Sequence, residues 1–387
     1  MKFSLKLGLL PQLLLVFVVA FFCGEMIPEF YRSLFYTVSV QIQEILIFFL
    51  PFVIFSYLFS CFLSFEDNIL VFIASLVIFM VVSNFLSMMY SYGVGVGCFS
   101  FIKATAAEIN MNGLKHLGCI RLPKIPNDYA LISGTSLGVF FFYFRNKTAA
   151  KISAFMKNGA DFFLKKVFIP VVPLFIFGFM LKMATDGALD HAIKTYAPVF
   201  AAAIIALVAY TVFMFGIASR FRFRDWKRYI KNSIPMAITG FSTMSSAATM
   251  PLLFDSAEKN TNHSPVVKAY VPATINIHHV GDGVVFPIVM MTTMLTFGMA
   301  LPDLSTYLVF AGYYLVLKFG AAAVPGGGAM VMMPILASLM GFDATMQGFM
   351  LGLYMLFDPF ITVTNTMCNG ASVIVFARIF DKRKKAA

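Results

Sequence analysis

Asp358, Thr362 and Asn365 stand four and three residues apart inside an otherwise apolar run, a spacing that puts all three on one helical face. An aspartate at membrane depth costs about 3 kcal/mol unless it is paired, so Asp358 calls for a cation partner. Two stretches of small residues and proline interrupt the apolar sequence elsewhere. One is Met244-Ser245-Ser246-Ala247-Ala248-Thr249-Met250-Pro251, and the other runs Gly320 to Gly328 through Val324-Pro325-Gly326-Gly327-Gly328. A helix broken at such a place leaves N–H groups, carbonyls and dipole ends unpaired, and these can hold a carboxylate and a cation without water. The three glycines also let backbone approach a ligand closely and provide a mobile flap. Each interruption is followed by a second polar cluster. Pro272 to His279 contains Asn276 and His278, and Asp358 to Asn365 is the run described first. Each unit therefore reads as a broken apolar segment plus an interrupted helix. Paired breaks of this kind point to a transporter site, because non-helical backbone survives at membrane depth only where it is buried or lines a cavity. His278 and Asp282 are four apart and share a face if that stretch is helical, making a titratable pair suited to carrying a proton. The other reading of His278 and His279 is as buried, hydrogen-bonded histidines.

These residues need elements to hold them. The chain of 387 residues is 60% hydrophobic and 12% charged, half the charged content of soluble domains, so water is not its main solvent. Continuous apolar runs near 7–24, 35–63, 69–97, 129–145, 160–185 and 195–219 read as membrane-spanning helices. They lack the short alternating segments of a barrel. The segment 98–128, with Lys103, Glu108, Pro123 and Pro126, is too polar to span and reads as an outside loop with short helical pieces. The net charge of +11 lies in the connections between apolar runs, which fits topology and excludes a nucleic-acid surface. Arg145–Lys151, Arg220–Lys231 and the basic tail 381–387 fall on the cytoplasmic side by the positive-inside rule, with both termini there. The N-terminal run Leu9–Phe22 reads as a retained first helix, since no small-residue cleavage pattern follows it. Five cysteines without CxxC spacing suggest neither zinc nor a disulfide framework, although Cys98 and Cys119 share one segment and could pair. HExxH, GxSxG and GxxxxGK[ST] are absent, which speaks against an enzyme or an ATP-driven pump and for gradient-driven transport without a cofactor.

The serine-rich tip Ser245-Ser246 with Thr249 and Pro251, the tip Val324-Pro325-Gly326-Gly327-Gly328, the opening Thr274-Ile275-Asn276 and the motif Asp358-x-x-x-Thr362-x-x-Asn365 resemble the dicarboxylate/amino acid:cation symporter family. Order and spacing agree from about 228 to 380, and residues 1–227 agree mainly in the number of spans. The resemblance implies an all-α polytopic fold of about eight transmembrane helices plus two re-entrant hairpins, arranged as inverted repeats and working as an elevator. Residues 1–227 are then mainly scaffold and trimerisation spans. The transport core, 228–380, divides into hairpin 1 (about 228–260), helix 7 (265–298), hairpin 2 (303–341) and helix 8 (344–380). A homotrimer in the inner membrane, contacting lipid and moving an amino acid, follows from the same likeness.

Carried over residue by residue, Asp358 takes the substrate ammonium, Asn365 and Ser245-Ser246 its carboxylate, Thr362 part of its side chain, and Val324 to Gly328 form the closing flap. Acidic-substrate members have an arginine where this chain has Ile361, so no bidentate clamp exists and a neutral substrate is expected. The family's Asn-Met-Asp-Gly-Thr reads Asn276-Ile277-His278-His279-Val280 here, and its last-helix aspartate reads Asn369. A sodium site near Asn276 and Asn369 thus loses two anionic oxygens. Alternatively, a local insertion makes Asp282-Gly283 the displaced motif. Lys318 stands where the family has a small hydroxyl residue near a sodium position. It either replaces that ion or snorkels to an interface. Sodium or a proton remains as the coupling ion, with proton coupling through His278 the hypothesis. The rival functions are a non-transporting receptor and a channel-like anion conductor on the same fold.

Overall fold

The computed structural model describes residues 9–63, 70–101, 114–123, 127–144, 147–186, 188–320 and 326–386, and every regular element among them is helical. The apolar runs form α1 (Leu9–Cys23), α2 (Glu29–Leu63), α3 (Leu70–Phe101), α4 (Asn127–Tyr143), α5 (Lys147–Phe162), α6 (Ile169–Thr185) and α7 (Ala188–Ser219). Then come α8 (Phe223–Thr243), α9 (Ser246–Thr261), α10 (Val266–Thr274), α11 (Val280–Thr296), α12 (Leu304–Leu317), α13 (Gly327–Met330), α14 (Met333–Met340) and α15 (Ala344–Ala386). Five helical stretches among the described residues are long and apolar enough to cross a bilayer, so the chain is a multi-pass membrane protein.

Two expectations are corrected, and one connection is itself a helix. The basic stretch after Arg145 is helical from Lys147 onward. Ala149, Ser153 and Ala160 line its buried face, Lys147 and Lys151 are exposed, and α5 continues through a π-turn at Phe163–Phe168 into α6. That wide turn stands just before Pro170, whose ring offers no N–H to a tighter one. Cys98 lies within α3 and Cys119 beyond it, and both thiols are free, so the pairing is not made. Finally, α15 is unbroken through Pro359, where an interruption was expected.

Two groups of helices are visible in the packing. In one, α2 packs against α4, α5 and α6, and α1 packs against α6. Gly178 makes the α2–α6 approach possible, because a side chain there would overlap the Phe35 carbonyl and Ser39 Oγ. In the other group α11 lies among α3, α7 and α15, while the α8–α9 hairpin and α10 rest on α15. An 18-residue apolar stretch within Ala344–Phe380 is 83% buried, against 39% for the one within Ala74–Phe99, which makes α15 a central helix and α3 a flanking one. Burial on every side is also the state of α11, from Val280 to Met294. Contacts of α6 with α7 and α15 join the groups.

Candidate functional site

Three breaks converge around the middle of α15. At hairpin 1, α8 stops at Thr243 and Met244 turns into the left-handed region (φ 50°) before Ser245 opens α9. Ser246 is buried and its carbonyl accepts the Thr249 hydroxyl at 2.7 Å, while Ser245 is half-buried at the tip. The hairpin is pinned to itself by Ser233–Ser256 (3.0 Å) and Asn232–Asn260 (2.7 Å), and Gly240 lets it approach Thr362 and Thr366 of α15.

Between α10 and α11 the chain leaves helical geometry over 275–279, and neighbours satisfy the freed groups. Asn84 of α3 donates to the Ile277 carbonyl at 2.8 Å and accepts from the His279 N–H at 3.0 Å. Asn369 accepts from the Thr274 hydroxyl at 2.9 Å, and Tyr314 OH donates to the His279 carbonyl at 2.8 Å. Asn276 is half-buried, with its carbonyl 2.7 Å from His279 Nε2. The break separates the pair expected to share a helical face. His278 instead meets Ser83 Oγ at 2.9 Å through Nε2, and its buried Nδ1 has no partner. His279, one residue on, is the histidine beside Asp282, at 3.3 Å. The physical reason is that helix rise resumes only at Val280, so His278 lies on the α10 side of the gap.

Asp282 is the centre of the polar cluster. Its Oδ1 accepts from Lys318 Nζ at 2.8 Å and from Tyr354 OH, and its Oδ2 accepts from Asn365 Nδ2 at 2.7 Å and lies beside His279. Lys318 is fully buried and does not snorkel. Its second bond runs to the Gly328 carbonyl at 2.8 Å, and its ammonium lies 4.9 Å from the Tyr314 ring centroid. Asn365 also accepts from the Gly281 N–H at 2.7 Å, so both ends of its amide are fixed on α11.

Hairpin 2 closes the site from the other side. Val324 and Pro325 lie outside the described residues; Gly326, Gly327 and Gly328 are buried. Gly326 takes a left-handed φ of 69°, open to glycine at little cost, and its N–H donates to Asp358 Oδ2 at 2.8 Å. Among the described residues the other Asp358 oxygen makes no hydrogen bond, and the carboxylate is buried. Ile361 and Thr362 are buried beside it on α15.

The structure thus gathers Asp358, Asn365, Lys318, Asp282 and Gly326–Gly328 in one place, with Ser245, Asn276 and Asn369 at neighbouring breaks. Sequence reasoning missed Asn84, Tyr314 and Tyr354. It also missed the buried stripe Ser83, Ser87 and Ser91, whose last member donates to the Val284 carbonyl at 2.6 Å. The signal was present as polar residues at intervals of four along the apolar run 69–97.

Comparison with known proteins agrees with the resemblance. A family model described as the sodium:dicarboxylate symporter family matches residues 129–379. Curated relatives include serine/threonine transporters SstT from two strains of Acinetobacter baumannii, 22% and 23% identical over 240 residues. Each of those matches covers 62% of this chain and 59% of the relative. Another is the serine/threonine transporter SstT of Acinetobacter baylyi, 22% identical over 261 residues, 66% of this chain and 63% of the relative. The match therefore spans about three-fifths of the length of these relatives. With the family model covering well over half of its residues, the chain belongs to the sodium:dicarboxylate symporter family, whose members are membrane transporters and not enzymes.

Proposed function

We propose that the chain is a secondary transporter that carries a small neutral amino acid across the inner membrane, coupled to a cation gradient. The observation that carries this reading is the meeting of the hairpin 2 tip with Asp358, where a buried carboxylate keeps an oxygen for a ligand ammonium. The substrate carboxylate is assigned to the Ser245-Ser246 tip, with Asn365 beside it and Thr362 contacting the side chain. Ile361 fills the place of a basic clamp, so an acidic side chain would stay unpaired there. The relatives' names, serine/threonine transporters, support the same substrate class. On this reading 228–380 is the moving core, residues 1–227 are mainly scaffold in a homotrimer, and both termini face the cytoplasm. Proton or sodium serves as the coupling ion.

Uptake of labelled serine, threonine, alanine and aspartate into proteoliposomes, under imposed sodium, proton or no gradient, tests it. The expected result is uptake of the neutral amino acids above aspartate, abolished in Asp358→Asn. A second reading is a receptor that keeps the pocket without transport, favoured by the histidine and asparagine standing where the family has cation ligands. Binding without substrate counterflow would select that reading and defeat the first.

A further inference from the structure

The surroundings of Lys318 are those of a cation site. Its ammonium has a carboxylate oxygen at 2.8 Å on α11, a backbone carbonyl at 2.8 Å from hairpin 2 and the face of Tyr314 at 4.9 Å. Oxygen ligands contributed by two separate elements are what a free hard cation would use to draw those elements together. Here the positive charge is on a side chain. Lys318 leaves the end of α12, and Gly328 lies beyond the tip, so one ammonium ties both arms of the hairpin to Asp282. The cluster is closely filled. A side chain at Gly328 would overlap Asp282 Oδ1 and come within 2.6 Å of Lys318 Nζ. The remaining acceptor positions of Asp282 are taken by Tyr354, Asn365 and His279. The only other buried carboxylate at this hairpin, among the described residues, is Asp358, held by Gly326 two residues before Gly328.

We infer that Lys318 is a tethered cation that latches hairpin 2 to α11, so that the hairpin closes without a free sodium ion at that position. Its meaning for coupling rests on the transport reading, but its test does not. Replacing Lys318 by a small hydroxyl residue vacates the ammonium's place and leaves Asp282, the Gly328 carbonyl and the Tyr314 ring face around a gap of cation-binding character.

The experiment follows thermal unfolding of the purified full-length protein as sodium chloride replaces choline chloride at constant ionic strength. Up to about 200 mM sodium, Lys318→Ser is expected to gain a saturable rise of about 3 °C or more beyond any response of the wild type, which a sodium site elsewhere would give both proteins. The double variant Asp282→Asn/Lys318→Met, neutral without any cation, is expected to respond no more than the wild type. A Lys318→Ser protein whose sodium response is no larger than the wild type's overturns the proposal. If Lys318→Ser is recovered only unfolded, the double variant decides. A folded double variant whose sodium response matches the wild type's supports the latch, and one that responds more strongly refutes it. Because the readout is ion occupancy and not uptake, a chain that moves no amino acid would still give a clear answer.

Discussion

Replacing Gly328 by alanine puts a methyl group into the most crowded point of the site. The added carbon would overlap Asp282 Oδ1 and lie 2.6 Å from Lys318 Nζ, and neither neighbour is a loose end. Lys318, Asn365, Tyr354 and His279 fix the carboxylate, and Asp282 and the Gly328 carbonyl fix the ammonium. The strain is relieved only by opening the ion pair or lifting the hairpin tip. A hydrogen bond to a charged group contributes about 1.5–3 kcal/mol, and separating a buried pair costs about 3–5 kcal/mol. Taking about 3 kcal/mol as the loss, the closed hairpin is disfavoured about 100-fold. The unfolding midpoint should fall by about 4 °C. Equilibrium binding of labelled serine to purified protein and thermal unfolding read the two quantities. Gly312→Ala is the control, since nothing lies within 4 Å of its added carbon. On an exposed helix it should be neutral or stabilising by up to about 1 kcal/mol. Binding within about threefold of wild type, together with a midpoint within about 1 °C, would refute the reasoning that Gly328 is held by the ion pair.

Other consequences follow from the same contacts. Asn84→Ala strips partners from the Ile277 carbonyl and the His279 N–H, and with about 1–3 kcal/mol for each unsatisfied buried group it should cost about 2–4 kcal/mol in detergent unfolding. Gly178→Ala forces α6 away from the Phe35 carbonyl of α2 and should lower the midpoint by several degrees, while Gly93→Ala, with open space around it, should not. Asp303 caps α12 from an exposed loop, where the Thr306 N–H and then the Ser305 hydroxyl hold its carboxyl below the ordinary 3.8. A folded-state value below the unfolded one means that the cap stabilises fully above about pH 3.8 and is lost as pH falls through the lowered value. The midpoint difference between wild type and Asp303→Ala should therefore be equal at about pH 7 and pH 5 and shrink only below about pH 4.

Much of the fold was legible because hydrocarbon makes polar residues conspicuous. Asp358, Thr362 and Asn365, the serine tip and the triple glycine stand out against apolar sequence, and all lie at or beside the convergence of breaks. What could not be read was which partner each group finds. Lys318 and Asp282 are 36 residues apart, and no spacing rule pairs side chains on different helices. The histidine error has a different cause. Ile275-Asn276-Ile277 is compatible with a continued helix, so the sequence suggests His278 over Asp282 at a spacing of four. The helix in fact stops there because Asn84 and Tyr314, from two other elements, satisfy the broken backbone, while Asn369 holds the Thr274 side chain. The opposite mistake concerns α15, where Asp358-Pro359 suggested an interruption. Proline is tolerated in a membrane helix when neighbours re-satisfy the freed carbonyl, and α15 runs on unbroken.

The two hairpins are not equivalent, and the difference bears on which one gates the site. Hairpin 1 is held mainly by bonds between its own arms and by close packing of Gly240 on α15, with Ser242, Thr243, Ala247 and Ala248 exposed around its tip. Hairpin 2 is gripped by two charged groups on different helices, Asp358 through Gly326 and Asp282 through Lys318 and Gly328. On the transport reading, a substrate ammonium takes the Asp358 oxygen that the Gly326 N–H leaves open, so ligand and hairpin meet on one carboxylate. The Lys318 grip is untouched by that arrival. Hairpin 2 would therefore close on the substrate with one hold built in and the other shared with the ligand, which makes its closure a response to substrate and leaves a free cation no part in the Lys318 half.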